Sequence, residues 1–247
     1  MTTDLPVPRR ALAVGAHPDD VELGCGATLA KWAAAGCALV HVVCTDGARG
    51  TWDPGQDPAQ LVAVREAEQR AASRALGGTG EVVFLRWPDG ELEAGLRQRF
   101  QVADAIRRFR PDVVLGHDPW KRYRLHPDHR NAGFLLTDAL VAARDPLFFP
   151  ELRAEPHRPT TLLLFEADDP DHAEDVGGFL DHKLAALACH ESQLESTMDI
   201  GGPGATDPSE LDRQRAAFEA RVLQRASRQG APFGLELAEA FKRVDEL

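Results

Sequence analysis

The sequence predicts an α/β fold built on a parallel, doubly wound sheet. Two observations carry that prediction: short apolar β-type runs recur along the 247 residues, and helical patterns fill most of the gaps between them. A third is what leaves the first run. Ala16-His17-Pro18-Asp19-Asp20 follows it directly, so a histidine and two carboxylates emerge at a strand's carboxyl end, where open α/β sheets collect functional groups.

The elements follow in order. Ala11–Gly15 reads as a buried strand, and Gly24-Cys25-Gly26 leads into a helix across Ala27–Ala35. Leu39–Cys44 is the second strand. Pro58–Leu76 carries Leu61, Val64, Ala67, Ala71, Ala72 and Ala75 at near-helical spacing and stops at Gly77-Gly78, as a crossover helix should. Val82–Leu85 is the third strand. Leu96–Phe109 is a helix ended by Arg110-Pro111, because the residue before a proline is pushed out of helical geometry. Val113–Gly116 and Thr160–Phe165 are the fourth and fifth strands, and in a 2-1-3-4-5 or similar order strands one and four present their loops to one cleft. Glu166–Asp175 reads as an acidic, solvated loop, and Phe179–Cys189 as a helix. Gly201-Gly202-Pro203-Gly204 with Pro208 breaks the chain in a surface loop placed to act as a lid or subunit contact. Ser209 and Asp212 resemble an N-cap and its reciprocal partner ahead of Leu211, Phe218 and Val222, which predicts a long amphipathic helix. With no internal repeat or low-complexity tract, 1–247 reads as one domain, with 199–209 a flexible Gly/Pro loop and 210–247 C-terminal helices.

Composition narrows the function classes. A 43% hydrophobic content suffices for a sizeable core, and a net charge of -11 argues against a phosphate-backbone partner, so no nucleic acid is expected. Met1–Arg10 lacks the apolar core of a targeting segment, and no run approaches the roughly 20 apolar residues needed to cross a bilayer; no membrane insertion and a cytoplasmic location are expected. Cys25, Cys37, Cys44 and Cys189 are scattered without C-x-x-C spacing and read as free buried thiols, not as a zinc ribbon or redox pair.

The chemistry lies in two runs, His17-Pro18-Asp19-Asp20 and His126-Pro127-Asp128-His129. A catalytic zinc site uses three N/O protein ligands and leaves a position for water, and His17, Asp20 and His129 fit that need. The same donors suit iron or cobalt as well. His126 and His129 are three apart, so a helix starting there puts both rings on one face. Asp128 then points elsewhere, toward a ligand histidine. Asp19, beside ligand Asp20, is left free to accept a proton as general base. His117, at the end of the fourth strand, can face the same cleft, while His41 reads as a structural histidine. Gly15, Gly24 and Gly26 do not make G-x-G-x-x-G, which counts against a non-catalytic nucleotide-binding module. Another metal-dependent hydrolase, an amidase for a larger conjugate or a phosphoesterase, is the closer competitor, although two-metal phosphoesterases need more bridging carboxylates than can be assigned.

These runs resemble the PIG-L/LmbE-like family of zinc-dependent N-deacetylases, which includes the deacetylases of mycothiol and bacillithiol synthesis. Ala16-His17-Pro18-Asp19-Asp20-Val21-Glu22 and His126-Pro127-Asp128-His129 carry the resemblance. Cys44-Thr45-Asp46-Gly47, Arg65-Glu66-Ala67-Glu68, Trp87-Pro88-Asp89-Gly90, Lys183, His190-Glu191-Ser192-Gln193 and Ala238-Glu239-Ala240-Phe241 extend it over nearly the whole chain. The resemblance implies a Rossmann-like three-layer sandwich, one Zn2+ per chain on His17, Asp20 and His129, and Asp19 as base. It implies that His126 stabilises the oxyanion or assists the leaving group, that Asp128 tunes a neighbouring ligand, and that Arg65 and Asp89 hold sugar hydroxyls. The implied substrate is a small acetamido sugar of N-acetylglucosamine type, and a homo-oligomer is compatible with the family. The sequence departs from the pattern at Lys121-Arg122-Tyr123-Arg124-Leu125, where several relatives carry glycine or tyrosine-glycine. Tyr123, the only tyrosine, is one position off the family's oxyanion tyrosine, and Arg124 offers a guanidinium for developing negative charge or for an anionic part of a substrate.

Overall fold

The structure, a computed structural model, describes residues 1–202 and 207–247. Its elements are β1 (Thr2–Thr3), β2 (Arg10–Gly15), α1 (Asp20–Ala34), β3 (Ala38–Thr45), α2 (Pro58–Ala75), β4 (Val82–Trp87), α3 (Leu96–Phe109), β5 (Val113–His117), α4 (Pro127–Arg144), β6 (Thr161–Phe165), β7 (His172–Asp175), α5 (Leu180–Ala188), α6 (Pro208–Gly230) and β8 (Ala238–Asp245). The sheet runs β1-β7-β8-β6-β5-β2-β3-β4 and is parallel except for β8, which pairs antiparallel with both β6 and β7.

Alternation along the strands builds both cores. Leu12, Val14, Val40, Val42, Val114 and Leu162 face α3 and α4, where they meet Val102, Ile106, Leu135 and Leu136. Ala11, Ala13, Val113, Leu115, Leu163 and Phe165 face the other way, onto Val21, Leu29 and Trp32 of α1 and Ala72 of α2. Strands buried on both faces must be apolar through their interiors, as β2, β5 and β6 are apart from Arg10, His117 and Thr161 at their ends. The result is the expected three-layer, Rossmann-like α/β sandwich. Helix and sheet approach closely at Gly24, whose Cβ, were there one, would lie 2.7 Å from the Phe165 ring.

The five expected strands are β2 to β6, and their order differs from 2-1-3-4-5. The chain runs outward through β3 and β4, then returns to lay β5 on the other side of β2, so strands one and four of the sequence reading are direct neighbours. The switch of direction opens a crevice at the carboxyl ends of β2 and β5.

The carboxyl-terminal third needs three corrections. The expected helices over 210–247 stop at Gly230, and Ala238–Asp245 is a strand whose Ala238, Ala240 and Phe241 are buried between β6 and β7. The acidic loop ends in a second unexpected strand, β7, whose His172 and Glu174 are buried and joined at 2.9 Å. The cap of α6 is Asp207, which accepts from the Ser209 amide at 2.9 Å, rather than Ser209. Of the Gly/Pro loop expected over 199–209, Pro203 to Thr206 lie outside the described residues.

Candidate metal centre and active site

Both histidine runs enter the crevice because a helix begins there. After β2 the chain turns at Pro18, and Asp19 takes a left-handed backbone (φ 105°) as the N-cap of α1. That turn folds Asp20 back, so its Oδ2 accepts the His17 amide at 2.7 Å. After β5, His126 caps α4 with Pro127 at its first position, and His126 Nδ1 accepts the Asp128 amide at 3.3 Å. That bond assigns the tautomer: the ring's proton sits on Nε2. His129 follows on the same helix face, its ring stacked between His126 and His117 with centroids 4.6 Å from each.

Donor atoms of three residues converge. His17 Nδ1 lies 3.4 Å from Asp20 Oδ2, His129 Nε2 lies 3.3 Å from Asp20 Oδ1, the other oxygen of the same carboxylate, and the two nitrogens are 3.2 Å apart. Tetrahedral zinc with bonds of about 2.0–2.1 Å has ligand-to-ligand edges of roughly 3.3–3.4 Å, so the separations among these residues are of the size such an ion needs. The other nitrogen of His17, Nε2, meets Asp89 Oδ1 at 3.0 Å and Asp128 Oδ2 at 3.3 Å. Those carboxylates hold the proton on Nε2 and turn the Nδ1 lone pair toward Asp20 and His129, the usual support of a metal-binding histidine. Asp128 is itself fixed by the Gly90 and Leu92 amides at 2.6 and 3.2 Å.

Electrostatics favours a cation there. Burial opposes charge on His17, yet hydrogen bonds to Asp128, Asp20 and Asp89 outweigh it and raise its pKa well above the usual value. Burial would raise the Asp20 carboxyl, but His129 and His117 hold it well below the carboxylate range. Burial, with His117, His17 and His126 around it, lowers His129 to about 4 despite Asp20, so its ring is neutral and its lone pair free. The donor set, its spacing and its charge therefore fit a divalent ion.

Asp19 is 5% exposed, and burial raises its pKa to about 6, with Asp20 adding to the rise and Arg65 opposing it. Its Oδ2 has Thr197 Oγ1 at 3.4 Å and the Arg65 guanidinium at 3.5 Å.

A cavity of about 370 Å³ opens onto these groups, and His17, Asp19, Asp20, Arg65, Asp89, His126 and His129 all line it. Two expected substrate contacts are placed otherwise. Tyr123 (φ 59°) is 92% exposed and does not line the cavity. Arg124 does not line it either: it turns inward to Glu166 at 2.8 Å and His117 Nδ1 at 3.2 Å, behind the site. Arg65 reaches the wall, but its donors go to the carbonyls of Gly47 and Pro18 at 2.8 and 2.7 Å. His190 is fully buried on Glu22 at 3.3 Å, away from the cavity wall. His41 is structural, as expected, and buried beside Glu22 and Gln69.

Sequence reading missed the rest of the wall. Arg49 to Trp52, from the loop joining β3 to α2, and Gln193, Ser196 and Thr197 after α5 close the cavity. The first had a usable signal, since a long loop at the carboxyl end of a strand beside the switch point belongs to the crevice. The second had only the family-like run His190-Glu191-Ser192-Gln193, and its approach depends on how α5 docks against α1 and α2.

The fold and this N/O donor triangle, with a buried carboxylate at one side, define a metal-dependent hydrolase. The model of a family described as PIG-L, GlcNAc-PI de-N-acetylase, matches residues 12–140, more than half of the chain. A diacetylchitobiose deacetylase of Thermococcus kodakarensis is 34% identical over 189 residues, 75% of this chain and 70% of that protein. A 1D-myo-inositol 2-acetamido-2-deoxy-alpha-D-glucopyranoside deacetylase of Streptomyces avermitilis is 35% identical over 60% of this chain, but the match spans only 58% of that relative. A solved N,N'-diacetylchitobiose deacetylase from Pyrococcus horikoshii superposes with a TM-score of 0.83 at 26% identity, over 96% of this chain and 84% of that one. The chain belongs to the PIG-L family of N-deacetylases. Among the described residues, no helix is long and apolar enough to cross a membrane.

Proposed function

We propose that this enzyme hydrolyses the acetamide of a small N-acetylglucosamine-containing molecule, releasing acetate and a free amine, with one zinc ion held by His17, Asp20 and His129. The convergence of His17, Asp20 and His129 donor atoms at 3.2–3.4 Å, with Asp19 facing the same cavity, is the observation that carries this reading. An ion in that place acidifies water and polarises an acyl oxygen.

The residues divide the remaining work. Asp19, with a pKa raised to about 6, takes a proton from the water that attacks the acetamide carbon. Burial keeps the His126 pKa low, so His126 is neutral and acts through its Nε2 proton as a hydrogen-bond donor to the oxyanion. The proton held by Asp19 then goes to the departing nitrogen. Water and the amide thus give acetate and amine with no net change in Asp19. Asp89 and Asp128 hold His17, and Arg65 ties the Pro18 carbonyl, next to Asp19 in the chain, to that of Gly47.

Amine release from a panel of N-acetylglucosaminyl conjugates, with zinc supplied and with zinc chelated, tests the proposal. Zinc-dependent release from at least one conjugate is expected, and no release from any would overturn it.

A further inference from the structure

We infer that Trp52 forms a subsite at the mouth of the cavity for a second, neutral, polyhydroxylated ring, and so directs the enzyme to N-acetylglucosaminyl glycosides over the free sugar. The inference rests on the deacetylase reading above.

Trp52 is 73% exposed and yet lines the cavity that holds the donor triangle. The other tryptophans have partners in the protein: Trp32 is wholly buried, Trp87 donates to Gln101 at 2.7 Å, and exposed Trp120 leans edge-on against Phe134. A large apolar ring left in water at the rim of a functional cavity is the informative kind of exposure.

The loop beneath Trp52 is pinned on both sides of the mouth. The Arg49 amide donates to Asp89 Oδ2 at 2.9 Å, and the Gly50 carbonyl accepts from Gln193 Nε2 at 2.9 Å. Gly50 is wedged: a Cβ there would lie 2.0 Å from an Arg65 guanidinium nitrogen and 2.8 Å from Gln193 Oε1. Three residues further on, the Asp53 amide closes a turn on Thr51 Oγ1 at 3.1 Å. The backbone that carries the indole is therefore fixed before any ligand arrives, which lowers the ordering cost of binding.

The rim also selects the chemistry. An indole offers a broad apolar face, suited to the C–H face of a pyranose or cyclitol, with a donor at one edge. Gln193 and Ser196 supply hydroxyl partners nearby. Arg49 is already paired with Glu91 at 2.6 Å, and the chain carries a net charge of -11, so the rim does not favour an anionic group.

The test compares kcat/KM for N-acetylglucosamine and for its β(1→4)-linked dimer in zinc-supplied wild type, Trp52→Ala and Trp52→Phe. The wild type should favour the dimer, Trp52→Ala should lower the dimer-to-monomer ratio about tenfold through KM for the dimer, and Trp52→Phe should restore most of it. If both sugars are deacetylated and the ratio is unchanged in Trp52→Ala, the subsite is overturned and the deacetylase reading stands. If Trp52→Ala instead lowers the sedimentation coefficient without moving the ratio, Trp52 is a subunit contact and the subsite is overturned. If neither sugar releases acetate, the subsite is overturned, and the deacetylase reading is decided by the wider panel of conjugates.

Discussion

The backbone amide of Asp19 donates to Oε1 of Gln69 at 3.0 Å from a left-handed conformation that L-residues seldom adopt. Gln69 is wholly buried and is itself held, its Nε2 donating to Glu22 Oε1 at 2.7 Å, with His41 and His190 packed around that carboxylate. Local strain of this kind persists only where surrounding structure over-determines it. The glutamine is thus the clamp that keeps the Asp19 backbone turned.

Gln69→Leu removes the clamp at similar size. Turnover should fall roughly 10–100-fold, the range for groups that orient those acting directly on substrate, while zinc per chain stays at one. Steady-state kinetics beside metal analysis of the same sample decides it. Turnover within threefold of wild type would show that β2 and α1 hold the turn unaided.

Asp19→Asn should separate activity from stability. Loss of the proposed base should slow turnover about 10²–10⁴-fold. The folded-state pKa of about 6 lies above the ordinary 3.8, so the folded protein binds this proton more tightly than the unfolded chain. The stabilisation is full below pH 3.8, is lost as pH rises through about 6, and the ionised carboxylate is then a burden of roughly 3 kcal/mol. Metal-free Asp19→Asn should therefore resist urea better than metal-free wild type at pH 7.5. The difference should shrink toward pH 4. Equal midpoints at both pH values would contradict the buried, strained carboxylate described above.

Much of this site is legible in the sequence because its principal groups sit at helix starts fixed by local rules. Pro127 can occupy only the first turn of α4, so His126 must cap it and His129 must share its face. Asp19 and Asp20 follow a strand whose apolar run is unmistakable. Arg124 shows the opposite case. Nothing in Lys121-Arg122-Tyr123-Arg124-Leu125 reveals that one arginine turns inward, because its partner Glu166 lies beyond α4 at the end of β6. The same limit hid β8. Ala238–Asp245 has no apolar run long enough to announce a strand, and its place between β6 and β7 is a tertiary choice.

His129→Ala and Asp128→Asn should differ in kind. The first removes a corner of the donor triangle and should abolish stoichiometric zinc binding. The second keeps shape but weakens the hold on His17 Nε2, and should loosen zinc about 10–100-fold without abolishing it. Competition against a chelator of known affinity measures both. Wild-type affinity in His129→Ala would remove it from the ligand set.

The placement of Arg124 turns the sequence expectation into a contrast. An arginine that binds substrate affects KM when removed and leaves the fold alone. This one has a side chain only 5% exposed and, with Arg225 and His117, holds the Glu166 carboxyl well below its usual range against the effect of burial. His117 in turn reaches Asp20 Oδ2 at 3.2 Å, so the network braces the metal-facing carboxylate from behind. Removing one partner of a buried pair leaves the other uncompensated. Arg124→Ala should therefore destabilise the protein by about 3 kcal/mol, with Arg225 and the partial exposure of Glu166 limiting the loss. Because the cost is the orphaned carboxylate, adding Glu166→Gln to Arg124→Ala should recover part of it, a coupling that a double-mutant cycle in urea reads directly. A rise in KM at unchanged stability would return Arg124 to the substrate.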